Sequence, residues 1–109
     1  MAYDDGLLER CRDGLRQLHV AGVRDKNAFG MRGLMLGKKM FAAVGEVSLL
    51  VKLTEEEYGP ALERPDVRPF TPGGESAMGT WVEVDADAVA DEPELREWLE
   101  AGVRGVRSL

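Results

Sequence analysis

The run FGMRGLMLGKKMFAAVGEVSLLVKL, residues 29–53, constrains the fold more than any other part of the chain. Aromatic, β-branched and long aliphatic side chains favour extended backbone, and Gly37 and Gly45 break the run where tight connections with positive φ would fall. The spacing predicts three strands, over 29–35, 39–44 and 48–53, joined as an antiparallel meander. Before it, Leu7, Leu8, Cys11, Leu15 and Leu18 recur at three- and four-residue intervals, which predicts an amphipathic helix over 4–19 with Gly22 marking its exit. The intervening GVRDKN is rich in charge and turn-formers and reads as a connection.

After the meander, Thr54 followed by Glu55, Glu56 and Glu57 reads as an N-cap with acidic residues in the first helical turn. A short helix should run to Leu62, disturbed by Gly59 and Pro60. Prolines 65, 69 and 72 punctuate a connection around a short strand over 67–70, and the exposed loop 71–80 leads to WVEV, whose alternation suits a half-buried strand. A last helix is expected after Asp91, capped by that residue with Glu94 three positions on. Its stripe is Leu95, Trp98, Leu99, Gly102 and Val106, extended by Leu109. The expected order is α-β-β-β-α-β-β-α, a two-layer α+β fold with an antiparallel sheet, in one domain spanning residues 1–109.

The residue inventory offers no complete catalytic or metal motif. Cys11 is the single cysteine, so no internal disulfide can form, and its place on the helical stripe makes it a core side chain. His19 has no second histidine to share a metal or to orient a nucleophile. Asp85, Asp87, Asp91 and Glu92 lack the spacing and glycine hinge of a calcium loop. GMRGLMLGKK lacks the GxxxxGK[ST] pattern that cradles phosphate. No cofactor and no enzymatic activity are expected. The aromatic residues Phe29, Phe41, Phe70, Trp81 and Trp98 fall at strand and helix periods and read as core.

The formal charge is −6, distributed unevenly. Residues 1–52 carry nine Lys/Arg against six Asp/Glu, a net of +3, and residues 53–109 carry five against fourteen, a net of −9. Arg10, Arg12, Arg16, Arg24, Lys26, Arg32, Lys38 and Lys39 would make a nucleic-acid-binding face if the first helix met the first strands side by side. No basic, apolar leader and no run of membrane-spanning length is present, so a cytoplasmic, non-membrane protein is expected.

Taken in order, AFGMRGLM, GKKMFAAV, LLVKL, RPFTPGG, AMGTWVEV and the LREWLEAG helix resemble the TfoX N-terminal domain family, over about residues 7–109. The matching landmarks are Phe29, Gly30, Gly33, Gly37, Met40, Phe41, Lys52, Pro69, Phe70, Met78 and Trp81. The resemblance implies a secretion-chaperone-like α+β fold and a link to genetic competence regulation. It supplies no catalytic residue. Some members carry a separate TfoX C-terminal domain, for which these 109 residues leave no room. The implied role is a regulatory or adaptor module acting on an unidentified protein partner, with homodimerisation as one form of that contact. Direct nucleic-acid binding is the alternative.

Overall fold

The structure, a computed structural model, describes residues 3–108. Helix α1 spans Asp5–Gln17 and is followed by strands β1 (Val23–Ala28), β2 (Met31–Leu36), β3 (Lys39–Val44) and β4 (Ser48–Lys52). Helix α2 covers Glu55–Ala61, strands β5 and β6 cover Val67–Pro69 and Trp81–Asp85, and a 3-10 turn at Ala86–Val89 precedes helix α3, Glu92–Arg107. All strand pairs are antiparallel, in the order β1-β2-β3-β4-β6-β5. The α+β class and the antiparallel sheet are as the sequence predicts, with one strand more. VRDKNA, read as a connection, is the edge strand β1, paired along its length with β2.

One face of the sheet carries all three helices. Leu34, Phe41, Ala42, Val44, Leu49, Val51, Val82 and Val84 meet Leu7, Leu8, Cys11 and Leu15 of α1 and Leu95, Trp98, Leu99, Val103 and Val106 of α3 in one apolar core. Helix α3 lies hard against the strands. A Cβ on Gly102 would stand 2.7 Å from the Phe41 carbonyl oxygen, and one on Gly105 would overlap the Lys52 carbonyl. Only glycine at these positions lets the helix backbone reach the sheet. Leu109, expected to extend the α3 stripe, lies outside the described residues.

The opposite face holds a smaller cluster of Ala43, Leu50, Phe70 and Trp81, flanked by Met31, Met40 and Met78. Phe29 departs from the expected core role. It sits with Gly30 in the two-residue β1–β2 turn, both at positive φ (55° and 74°), and is 53% exposed. Its ring still meets Phe70, edge to face at 5.5 Å, so the hairpin tip touches the residue after β5 although β1 and β5 are opposite edges of the sheet. Positive φ at Gly37 is as expected, but Gly45 keeps an ordinary φ.

The caps divide in the same way. Thr54 accepts from the Glu57 amide as predicted. Asp91 occupies the N-cap of α3 without a side-chain cap bond, whereas Asp4 caps α1 by accepting from the amides of Gly6 and Leu7. Helix α1 ends at Gln17, five residues before Gly22. The Val20 amide donates to Leu15 and the His19 amide to Arg16, closing a Schellman motif with His19 at φ 58° where glycine is usual.

Candidate functional site

The eight cations of the N-terminal half do not form one face. Arg10 donates through Nε to Glu92 (2.7 Å) and through Nη2 to the carbonyls of Val89 (2.6 Å) and Ala90 (2.9 Å), tying α1 to the entry of α3. Arg12 bridges Glu9 on its own helix and Asp25 on β1, and Arg16 pairs with Asp13. Arg32 reaches the same Asp25 at 3.5 Å and donates to the Asn27 side chain at 2.6 Å. These four arginines neutralise carboxylates and hold elements together. A charge count along the chain could not reveal this, because the partners of Arg10 are some 80 residues away.

The other four cations make no salt bridge among the described residues. Arg24 donates to the Gly37 carbonyl at 2.8 Å, and with Lys26, Lys38, Asp25 and Met35 it lines a cavity of about 420 Å³ beside the β2–β3 turn. Lys39 opens β3 and is not part of that lining.

A second cavity of about 420 Å³ lies between α2 and α3. Leu53, Pro60, Ala61, Trp98 and Ala101 supply its apolar lining, while Glu56, Glu57, Glu97, Glu100, Arg64 and Arg104 supply its charge. Arg104 donates to both oxygens of Glu57 (3.2 and 2.7 Å), and the hydrogen-bonded guanidinium holds the Glu57 carboxyl below its ordinary pKa against the opposing effect of burial. The Arg64 guanidinium lies 5.1 Å from the centre of the Trp98 ring. Sequence reasoning did not find this groove, whose walls come from helices more than 30 residues apart. The only signal was the EEE run of α2 facing a helix with Glu97 and Glu100 at three-residue spacing.

Cys11 is fully buried, and desolvation pushes its thiol up to about 12, which leaves it neutral and unreactive. His19 is exposed at the end of α1. Among the described residues no group of three His, Cys, Asp or Glu side chains is placed to hold a metal ion, and no helix is long and apolar enough to cross a membrane.

A six-stranded antiparallel sheet with one helical layer, glycines seating the last helix and a small Met-rich cluster behind defines a compact α+β module. The family model of the TfoX N-terminal domain matches residues 15–106, and the chain belongs to that family. Its landmarks divide by position. Phe41 is in the helix-side core, Phe70 and Trp81 in the rear cluster with Met40 and Met78 beside them, and Phe29, Gly30 and Gly37 in the two hairpin turns. No curated protein and no solved structure gave a significant match.

Proposed function

We propose that this domain is a small, non-enzymatic regulatory or adaptor module that works through protein contacts, self-association included, in the setting of competence or transcription regulation. The observation that carries the reading is the open β1 edge. Along Val23–Ala28 the backbone bonds only to β2 among the described residues, leaving six residues of strand edge available for another chain. Phe29, in the turn that ends β1, is 53% exposed and places an apolar ring beside that edge. Light scattering coupled to size-exclusion chromatography over rising concentration, with proximity capture in cells, tests it. A mass above the 12.0 kDa monomer or a reproducible captured protein is expected. A monomer at every concentration that captures nothing would overturn the reading.

Direct nucleic-acid binding is the second reading, and Arg24, Lys26 and Lys38 around one cavity favour it. Reversing Arg12 or Arg16 would break intramolecular pairs and confuse the outcome, so the informative variant is R24E/K26E/K38E. Duplex binding that falls steeply with salt and disappears in this variant would support it. Anisotropy unchanged by the protein at low salt would remove it.

A further inference from the structure

We infer that the α2–α3 groove is a docking site for a cationic, leucine-rich segment of a partner protein, an arginine of which takes the place of Arg64 on the Trp98 ring. The inference rests on the module reading above and gives the partner a chemistry. Charge complementarity selects the occupant. Four glutamates and two arginines line the groove, and one glutamate, Glu57, is neutralised by Arg104. Glu56, Glu97 and Glu100 are exposed and make no salt bridge among the described residues, and with four glutamates against two arginines the lining is net negative. The apolar lining of Leu53, Pro60, Ala61 and Ala101 offers room for aliphatic side chains. An acidic or purely polar segment would meet repulsion from the glutamates or leave the apolar lining unfilled.

Arg64 shows what the aromatic wall accepts. Its guanidinium already makes a cation–π contact with Trp98, supplied from the same chain. It also has somewhere to go. Asp66 Oδ1 is buried without a hydrogen-bond partner, and Arg64 Nε stands 3.9 Å from it, outside bonding distance. A partner guanidinium arriving over the indole displaces Arg64, which has that acceptor within reach and is not left stranded, so Arg64 acts as a competitor for the ring and no more.

The test is a two-dimensional ¹⁵N NMR titration of the whole chain with the amidated peptide RLLRRLLR, and with ELLEELLE as the opposite-charge control. Shifts confined to the amides of Ala61, Trp98 and Ala101 and to the Trp98 indole N–H are expected with the first peptide and not with the second. E97K/E100K, at exposed positions that leave the fold intact, should weaken binding by at least about tenfold. R64A should strengthen it by about two- to fivefold, because the resident competitor is gone. Equal response to both peptides, unchanged affinity in E97K/E100K, or weaker binding in R64A would each overturn the assignment. So would a dimer of the unliganded protein that E97K/E100K dissolves, since the groove would then belong to a second copy. A flat titration alongside a partner captured in cells would remove the groove and leave the module reading standing.

Discussion

His19 and Phe29 are the two non-glycine residues described with left-handed backbone, and they hold it for different reasons. His19 closes the Schellman motif of α1 with an exposed side chain, so glycine would do the same work without the steric cost. His19→Gly should raise stability by about 1 kcal/mol, read from urea midpoints. Phe29 occupies a turn position that suits Asn, and a bulky side chain there is strained. What it gains is the Phe70 ring. Phe29→Asn should therefore leave global stability within about 1 kcal/mol while accelerating hydrogen exchange at the hairpin tip. Cys11 gives a pH prediction. Its folded-state pKa stands near 12, above its ordinary 9.0, so the fold keeps a proton that the unfolded chain releases. Its contribution is complete below about pH 9 and is lost as pH rises from there toward 12. Between pH 8 and 10.5 the urea midpoint of the native protein should fall more steeply than that of Cys11→Ala.

At the scale of elements, the seating of α3 is the most sensitive join. Gly105→Ala forces a methyl group into the Lys52 carbonyl, backbone against backbone, and should cost about 3 kcal/mol, at the upper end for overpacking. Trp98→Ala removes a ring only 6% exposed and should cost about 3 to 5 kcal/mol. Denaturant unfolding measures both. Both helical stripes were legible because one buried face imposes a period of 3.6, and strands β2, β3 and β4 because burial on both faces leaves continuous runs of aliphatic and aromatic residues broken by glycine. Strand β1 was not, since VRDKNA has no apolar alternation: it is held by backbone pairing to β2, and Asp25 on its helix-facing side is satisfied by Arg12 and Arg32. The cations were visible as residue types, but which were already paired depends on contacts such as Arg10 to Val89, which no local pattern encodes. The α2–α3 groove was hidden for the same reason. Gly59 and Pro60 looked like disturbances of α2, whereas Pro60 lines the cavity.

Over the whole molecule, the meander from β1 to β4 pairs neighbours in sequence, while the layer that covers it is completed from the other end of the chain. Helix α1 alone cannot cover Phe41 and Val51, which pack against Gly102 of α3. During synthesis this order creates a delay. About 55 residues separate the end of β4 from the end of α3, and at roughly 5–20 residues per second they take about 3 to 11 s to make. Through that interval the β1–β4 segment lacks both the β6 strand that pairs with β4 and the α3 helix that covers Phe41 and Val51, and a ribosome-associated holdase would find its substrate there. Ribosome-bound chains long enough for β4 to have left the exit tunnel, with α3 still inside it, should crosslink to such a chaperone, and chains that have released α3 should not.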